Sequence, residues 1–531
     1  MSPGHGAERT TGRARHLHLA LQVDDPARPT AWQNWLATRL VDLVEISFVG
    51  VAARAPVRRS VAKVLWDVLR RSSRLARVTP WPAPVRPVAT PPPLTKPDIL
   101  LVLSAHGRSG PQAGTAEVWS LVVGDRRVGS DWPVGHDEVE RGAPVTELLL
   151  CQEQAQGDAR IIAKGVYNTR QNAAQNEALL LGKVPLLIRR AIEAQGQPHA
   201  ESMTAAPADR PFQPNVALRR YALGIAKYQW CFRLEDLQRR LGRRPGMWSL
   251  FRGRGDCLSA RLDDLREARP STNDYWADPF LWRRHGRLYV FFEAYNYPKA
   301  LGRIAVGEWT EDGFELLGDV LAPPYHLSYP FLVEHEGELL MIPESGAADR
   351  VEIWRCIEFP LRFERVATAF HGQKVADLTL FCRDGQWWAF CAMESDGVRD
   401  MNSELYAFAV DGPLLREIVP HARNPIVTDS RRSRPAGRIF ERDGRWYRPA
   451  QDNSHGVYGY GLNLMEITQL TLDAYEEVPV RSIRPDFRSG LIATHHLDSS
   501  EDVFVIDGCF AIGGHFRRSL RAYASPRAVR G

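Results

Sequence analysis

A pattern of apolar and polar positions recurs five times in the second half of this chain. In each copy, an apolar strand that carries one polar residue is followed by a glycine-centred turn and a second, aromatic strand. The interval of roughly 50 to 60 residues between copies is typical of a four-stranded propeller blade. The pattern therefore predicts an all-β five-bladed propeller over residues 247–520. The copies start at Ala277, Ser328, Ala376, Arg434 and His495.

The turns inside the repeated unit favour β-hairpins. Three Asp-Gly pairs separate β-branched or aromatic runs, and this dipeptide is typical of the two-residue hairpin turn. The pairs are Asp384-Gly385, Asp443-Gly444 and Asp507-Gly508. A β-sandwich, the competing architecture, would not explain why a polar residue recurs at one position of each copy. A ring of blades would bring these residues to a shared centre: Asp278, Tyr329, Asp377, Arg434 and His495.

Residues 16–195 follow a different pattern, in which strands alternate with helices. This alternation predicts an α/β domain with a parallel sheet. The predicted strands are 18–23, 43–49, 98–103, 118–123, 145–151 and 160–163, and the predicted helices are 32–43, 57–75 and 173–194. Around the two domains we expect a disordered N-terminus at 1–15, a linker at 196–214, a basic helical connector at 215–246 and a C-terminal tail at 521–531.

Composition narrows the class of partner. The formal charge is +5 over 531 residues, so the net charge gives no support for a nucleic-acid partner. The seven cysteines have no CxxC spacing, which favours reduced thiols over disulfides or a zinc site. No apolar run approaches the roughly 20 residues of a membrane span, and the polar first residues are unlike a signal peptide. We therefore expect a cytoplasmic protein.

Two predicted helical segments carry basic faces. Residues 57–75 and 217–241 combine arginine and lysine with apolar positions. Such faces can make a peripheral contact with an anionic membrane or hold a phosphorylated substrate. A solvated basic face is the simpler alternative.

Residues 16–195 resemble the N-terminal domain of the formyltransferase family. The resemblance lies in the strands 98–103 and 118–121 and in the segment 142–162. In that family an Asn and a His follow the middle strand and an Asp lies in the last loop, where together they polarise a formyl donor and shuttle protons. Only Asp158 matches here, because the segment 119–122 supplies no imidazole for acid–base chemistry. Formyl or acyl transfer is kept as an alternative function, and no folate cofactor is expected.

The propeller resembles five-bladed glycosidases of the arabinanase, xylosidase and fructosidase type. Asp278 and Asp377 stand in the first and third copies, where those enzymes carry a base or nucleophile and an orienting aspartate. The fourth copy has Arg434, whereas those enzymes have a Glu that protonates the leaving oxygen. A guanidinium cannot donate that proton, but it can bind a carboxylate or a phosphate. The substitution favours a phosphate-ester leaving group over simple glycoside hydrolysis.

Seven motifs in order extend the resemblance to a more specific family. They look like the N-terminal domain of the glucosamine inositolphosphorylceramide transferases and its bacterial relatives, over residues 247–520. In the plant proteins this domain accompanies a separate glycosyltransferase domain, so the resemblance alone does not assign sugar transfer to the propeller. The motifs are 278–280, 291–295, 326–331, 342–345, 377–381, 434–437 and 447–452.

These resemblances imply a sugar-active enzyme with its site at the propeller axis. The preferred hypothesis is a glycosyltransferase-like role in glycolipid, polysaccharide or natural-product assembly, with a sugar or glycolipid substrate and a nucleotide sugar as a candidate donor. The alternatives are a glycoside hydrolase-like enzyme and a non-catalytic propeller that binds carbohydrate or a partner. No metal is expected, since Asp, Glu and His occur at no diagnostic spacing.

The candidate site residues have distinct expected roles. Asp278 is the base or nucleophile, Asp377 its electrostatic partner and Arg434 the ligand of an anionic leaving group. Glu344 ends an apolar strand, where it is either the catalytic acid or a structural partner of Arg434. For His495 and His496, the alternative to a functional role is packing or hydrogen bonding to the backbone. The candidates for substrate binding are Glu293, Tyr295, His326, Tyr329, Gln451, Asp452, His495 and His496.

Overall fold

The computed structural model places the described residues in two compact units, residues 1–229 and 230–531. The predicted helix 57–75, most of the basic segment 217–241 and both predicted chain ends, 1–15 and 521–531, lie outside the described residues. The described residues are 17–51, 97–104, 116–129, 134–154, 158–194, 202–203, 230, 246–270, 273–394 and 400–510.

The first unit contains one sheet and, among its described residues, three helices. The strand order across the sheet is β2-β1-β3-β4-β6-β7-β8, and β5 pairs with β4. The strands are β1 His18–Val23, β2 Glu45–Gly50, β3 Ile99–Val102, β4 Glu117–Val123, β5 Arg126–Arg127, β6 Val145–Glu153, β7 Ala159–Asn168 and β8 Ser202–Met203. The helices are α1 Ala31–Leu40, α2 His136–Arg141 and α3 Ala173–Glu193.

This sheet is mixed, whereas the alternation of strands and helices predicted a parallel one. Strands β2, β1, β3 and β4 pair in parallel. Strands β6, β7 and β8 then pair antiparallel, with a short connection between β6 and β7 and the helix α3 between β7 and β8. The unit is still an α/β domain, as predicted. Two residues of the predicted linker, Ser202–Met203, form its edge strand β8.

Local sequence explains why two of the helices start where they do. Thr30 caps α1 through a capping box with Gln33, in which each side chain bonds to the backbone N–H of the other residue. Asn172 caps α3 in the same general way, since its Oδ1 accepts a bond from the N–H of Ala174. The buried face of α3 packs on β6 and β7. Among the described residues no helix is long and apolar enough to cross a membrane.

The second unit is an all-β five-bladed propeller, as predicted. Four blades are four-stranded antiparallel sheets, and the fifth has five strands. The first two blades are β11 Asp274–Arg284, β12 Arg287–Asn296, β13 Leu301–Trp309 and β14 Phe314–Leu321, then β15 Ser328–His335, β16 Glu338–Glu344, β17 Val351–Glu358 and β18 Arg362–Ala369. The next two are β19 Val375–Arg383, β20 Gln386–Met393, β21 Tyr406–Val410 and β22 Ile418–Pro420, then β23 Phe440–Arg442, β24 Arg445–Asp452, β25 Gly461–Leu470 and β26 Tyr475–Ile483.

The fifth blade joins the two ends of this unit and closes the ring. Strand β29 pairs along its whole length with β9, from Val503 opposite Arg254 to Phe510 opposite Met247. The pairing completes the last blade from both ends of the unit, and the ring of blades leaves only short, protected sheet edges. The strands of this blade are β9 Met247–Arg254, β10 Arg266–Ala268, β27 Leu491–Ala493, β28 Leu497–Ser500 and β29 Val503–Phe510.

The hairpin turns test the three Asp-Gly predictions. Asp384-Gly385 and Asp443-Gly444 are turns with positive φ at both residues, as predicted. The prediction for Asp507-Gly508 is wrong, because both residues lie inside β29, where Asp507 pairs with Leu250. The turn that precedes β29 is Glu501–Asp502. The dipeptide is a local signal, and pairing with a strand from the other end of the unit overrides it.

Apolar side chains from neighbouring blades pack together between the sheets. One buried cluster includes Phe291, Ile342 and Leu380 from the first three blades. Close to the centre, the rings of Phe280 and Phe331 meet edge to face at 5.8 Å. The packing fixes the blades against one another and so positions the ends of their inner strands.

The fourth blade contains a fully buried ion pair whose loss should destabilise the propeller. Arg448 and Glu477 are 1% and 2% exposed, and Arg448 Nη2 lies 2.7 Å from Glu477 Oε2. The substitution Arg448→Met leaves a buried carboxylate without its main partner, which costs about 3 to 5 kcal/mol. Urea unfolding followed by tryptophan fluorescence measures the loss.

Arg445→Met is the matched control on the same strand. Arg445 pairs with Glu466 at 3.4 Å but is 64% exposed, so the loss of this pair should change the free energy of unfolding by less than about 1 kcal/mol. Equal effects of the two substitutions would contradict a special role for the buried pair.

Candidate functional site

The inner strands of the first three blades share an unusual backbone conformation. Asp278, Tyr329 and Asp377 have φ values of +52°, +47° and +52°. Each lies in a β-bulge, where the register with the second strand shifts. A left-handed conformation costs a residue other than glycine roughly 1–2 kcal/mol. Such strained residues cluster at functional sites, so the bulges single out these three positions.

Hydrogen bonds join the three bulges across the blades. The N–H of Tyr329 donates to Asp278 Oδ2 at 3.2 Å. The Tyr329 hydroxyl lies 2.7 Å from Thr379 Oγ1 and accepts a bond from the N–H of Gly437 at 2.9 Å. Tyr329 is wholly buried, so its hydroxyl holds blades together. This favours a structural role for Tyr329 over the predicted contact with substrate.

Asp278 faces a histidine that a second carboxylate holds in place. His495 Nε2 lies 3.6 Å from Asp278 Oδ1, and His495 Nδ1 lies 2.5 Å from Asp507 Oδ2. Burial raises the pKa of Asp278 to about 7, although His495 opposes the shift. Asp507 and Asp278 raise the pKa of His495 to about 9 against the effect of its burial. Near neutral pH the pair therefore combines a protonated imidazole with a carboxyl group that can gain or lose a proton.

The neighbouring histidine differs in its surroundings. His496 is wholly buried, and its ring packs edge to face on Phe280 and Tyr329 at 4.6 Å and 5.2 Å. Burial lowers the pKa of His496 to about 3, so this ring is neutral near pH 7. The predicted contact of His496 with substrate loses support, since packing explains the side chain. His495 instead lies between the rings of Trp248 and Tyr458, at 4.2 Å and 5.4 Å.

Arg434 lies between two carboxylates of other blades. Its Nε donates to Asp377 Oδ2 at 2.6 Å, and its Nη2 donates to Glu344 Oε2 at 3.2 Å. Its Nη1 donates to Asn402 Oδ1 at 3.2 Å. The predicted pairing of Arg434 with Glu344 is therefore present. Because two carboxylates already face this guanidinium, the predicted binding of an anionic leaving group loses the free charge on which it depended.

Glu293 forms a second polar group beside the first bulge. Its Oε1 lies 3.4 Å from His326 Nε2 and accepts a 3.5 Å bond from the Tyr275 hydroxyl. Tyr295 stacks on Tyr275 at 4.7 Å. Burial, followed by the charge of Asp278, raises the pKa of Glu293 well above its usual range. The structure thus brings Glu293, Tyr295 and His326 together, as candidates for substrate binding.

The remaining predicted residues either make buried polar contacts in the propeller or lie in the first unit. Gln451 is 1% exposed, and its Nε2 donates to Asp377 Oδ2 at 3.0 Å. This hydrogen bond helps to fix the orientation of the Asp377 carboxylate. Asp452 is 3% exposed and pairs with Arg484 Nη1 at 2.6 Å. Asp158 belongs to the first unit, where it is an exposed residue before β7. The formyltransferase resemblance that singled out Asp158 is not confirmed.

Sequence reasoning missed several residues that contact the centre. Trp248 reaches His495 because β9 belongs to the closing blade. Tyr458 is 43% exposed, and its ring lies 5.3 Å from the Arg434 guanidinium. Asp507 lies in β29, although the Asp-Gly pair predicts a turn there. The first two carried no local signal in the sequence, but the last could have been recognised as the acidic residue of a strongly apolar strand.

One group of side chains near the centre could hold a metal ion. Ligand atoms of Asp278, His495 and Asp507 lie within 4.8 Å of one another, and all three residues are buried. Two carboxylates and an imidazole are ligands that several divalent cations accept. A cation would have to displace the proton of His495, because Asp507 and Asp278 hold that imidazole in its protonated form.

Solved structures that are similar to this chain include two exo-β-1,3-galactanases. The enzyme from Clostridium thermocellum is 14% identical, with a TM-score of 0.32 over 44% of this chain and 54% of that chain. The enzyme from Phanerochaete chrysosporium is 11% identical, with a TM-score of 0.34 over 52% of this chain and 66% of that chain. At these identities and TM-scores the similarity assigns no chemistry to this chain.

Sequence comparison gives a closer relationship for the propeller. The protein named glucosamine inositolphosphorylceramide transferase 1 from Oryza sativa subsp. japonica is 32% identical over 266 residues, and that from Arabidopsis thaliana is 30% identical over 272 residues. The alignments cover 47% and 48% of this chain but 35% of each relative, so the chain spans about a third of the length of these relatives. The predicted resemblance is confirmed: residues 264–500 match the family described as glucosamine inositolphosphorylceramide transferase 1, N-terminal.

Proposed function

We propose that the centre of the propeller is a carbohydrate-active site in which Asp278 acts as the base or nucleophile. One observation carries the proposal: a buried carboxyl group in a strained conformation, with a pKa raised to about 7, faces an imidazole that Asp507 holds. A carboxyl group with a pKa near the working pH is suited to accepting and returning a proton. Strain and a shifted pKa at one residue are together typical of a catalytic position.

The proposed reaction is glycosyl transfer to an acceptor hydroxyl. Ionised Asp278 removes the hydroxyl proton as the acceptor oxygen attacks the anomeric carbon, while the bond from that carbon to the donor's leaving group breaks and its electron pair stays on the leaving group. Protonated His495 orients and balances that carboxylate, while Asp377 and Arg434 form the neighbouring wall. The names of the sequence relatives support transfer over hydrolysis, and a glycolipid is the acceptor class that they suggest. Hydrolysis follows the same steps with water as acceptor.

The roles of Asp377 and Glu344 follow from their shared partner. Both carboxylates pair with Arg434, so we propose that Asp377 and Arg434 act as an electrostatic unit beside Asp278. Glu344 is then a structural partner that fixes the guanidinium from the second blade. A phosphate-bearing donor would have to displace one of these two carboxylates from Arg434 in order to bind it.

The substitution Asp278→Asn should abolish turnover and leave stability almost unchanged. Asparagine keeps the shape and tolerates the left-handed conformation but cannot accept the proton, so kcat should fall by at least about 100-fold. A thermal-shift screen of nucleotide sugars and simple glycosides identifies the ligand, and product formation is then followed by mass spectrometry.

Asp384→Asn is the matched control for Asp278→Asn. Asp384 has φ +53°, almost the same as Asp278, but it is an exposed hairpin residue. The substitution Asp384→Asn should therefore leave both turnover and melting temperature unchanged. Full activity of Asp278→Asn would contradict the proposal. Saturable glycan binding without any product would favour the alternative of a non-catalytic, carbohydrate-binding propeller.

Asp278 and His495 should give the reaction a bell-shaped dependence on pH. Asp278 must be ionised, so kcat/KM rises as the pH passes about 7, the pKa that burial gives this group. His495 must stay protonated, so kcat/KM falls as the pH passes about 9. The limbs report the coupled pair. His495→Gln should lower the rate and move the acid limb to higher pH, because His495 opposes the rise in the pKa of Asp278. An unchanged acid limb in that variant would exclude His495 as the electrostatic partner of Asp278.

A further inference from the structure

Glu293 and Glu344 occupy equivalent positions in the first two blades. Glu293 stands opposite Ala277, and Glu344 stands opposite Ser328. Each opposing residue comes directly before the left-handed residue of its bulge, Asp278 or Tyr329. The second strands of these blades therefore deliver a carboxyl group to the same level of the propeller. In the third blade, Ala392 stands at this position, opposite Ala376.

The two glutamates differ in their partners. Glu344 pairs with the permanently charged Arg434 at 3.2 Å. Glu293 has as its described polar partners the Tyr275 hydroxyl and the His326 ring. Burial also lowers the pKa of His326, so this ring is neutral near pH 7. Burial raises the pKa of both glutamates, so both carboxyl groups favour the protonated form. The difference between them is that the Arg434 guanidinium holds Glu344, whereas no described arginine or lysine pairs with Glu293.

The backbone fixes the tautomer of the histidine beside Glu293. The N–H of Gly302 donates to His326 Nδ1 at 3.0 Å, so Nδ1 is the acceptor and the hydrogen of the neutral ring lies on Nε2. Nε2 faces Glu293 Oε1. A Cβ atom at position 302 would lie 2.6 Å from both Glu293 Oε1 and His326 Cε1, so only glycine allows this close arrangement. Oε1 thus accepts, which leaves Oε2 as the oxygen that carries the proton when the carboxyl group is protonated.

We propose that Glu293 is the proton donor of this site and that the donor substrate is a glycoside whose leaving group is an alcohol or a sugar hydroxyl. The inference deepens the proposed function and rests on it. Two observations carry it: the equivalent register of the two glutamates, and the capture of Glu344 but not of Glu293 by Arg434. Glu293 replaces the acid that the fourth blade lacks. An alkoxide leaves poorly without a proton, whereas a phosphate does not need one.

The reaction balances with these two carboxyl groups. The acceptor oxygen forms the new bond to the anomeric carbon and gives its proton to Asp278. The bond between the anomeric carbon and the leaving oxygen breaks, its electron pair stays on that oxygen, and Glu293 supplies the proton. The products are a new glycoside and a free alcohol. Asp278 then releases its proton to water, and Glu293 regains one.

His326 is the positioning residue for this donor. Its side chain is 37% exposed, whereas that of Glu293 is 6% exposed, so the ring connects the buried carboxyl group with solvent. The hydrogen on Nε2 holds Oε1 and leaves Oε2 for the substrate. Tyr275 and Tyr295, stacked at 4.7 Å, form an aromatic wall beside the pair that suits the apolar face of a sugar ring.

The experiment compares good and poor leaving groups. The probes are 2,4-dinitrophenyl and benzyl glycosides of galactose, xylose and glucosamine. Glu293→Gln should lower kcat/KM on the benzyl glycoside by about 100-fold or more, but on the dinitrophenyl glycoside by less than about tenfold, because that phenol leaves without a proton. His326→Ala should show the same pattern more weakly, with partial rescue by added imidazole.

Glu344→Gln is the matched control, since it removes the equivalent carboxyl group in the next blade. It should lower the rate on both probes by a similar factor, because it disturbs Arg434 rather than proton donation. The opposite pattern, with leaving-group dependence in Glu344→Gln and none in Glu293→Gln, overturns the inference. So does a wild-type protein that turns over nucleotide sugars but none of the aryl glycosides. An active Asp278→Asn variant instead overturns the proposed function itself.

Infrared spectroscopy gives a readout that needs no substrate. The carbonyl stretch of a protonated carboxyl group should be present in the wild-type protein near neutral pH and should lose intensity in Glu293→Gln. An unchanged band in this variant would show that Glu293 is ionised, and it would then have no proton to donate.

Discussion

The carboxylate of Asp507 is the interaction on which the centre of the propeller depends. It is wholly buried and accepts bonds from the backbone N–H groups of His495, His496 and Asp278, at 2.9, 3.0 and 3.4 Å. It also lies against the His495 ring, and this charge lowers the pKa of Asp507 despite its burial. Asp507 therefore joins the closing blade to the first one, and it sets the charge of the imidazole that faces Asp278.

The strand pairing that closes the ring also positions residues at its centre. Strand β29 contributes Asp507 because it pairs with β9, and the same pairing brings Trp248 against His495. The strained conformations of the three bulges persist because buried hydrogen bonds from neighbouring blades hold them. A change that opened the fifth blade would therefore release the imidazole, the tryptophan and the first bulge together.

The carboxyl groups at the centre fall into two sets, which differ in whether Arg434 pairs with them. On one side, Arg434 pairs with both Asp377 and Glu344, although burial, followed by the charge of Asp377, still raises the pKa of Glu344. On the other side, no described arginine forms an ion pair with Asp278 or Glu293, and burial raises the pKa of both. The proposed proton transfer uses the second side, where no described arginine occupies the carboxyl oxygens.

The sequence by itself determined what depends on neighbouring residues: the repeated blades, the turns at Asp384-Gly385 and Asp443-Gly444, and the polar position of each inner strand. It could not determine that Asp507-Gly508 lies in a strand, because the partner of that strand comes from the other end of the propeller. It left two roles open for Glu344, catalytic acid or partner of Arg434, and the structure shows the pairing with Arg434. Tertiary structure decided these points, since burial and charge pairing depend on residues that are distant in the chain.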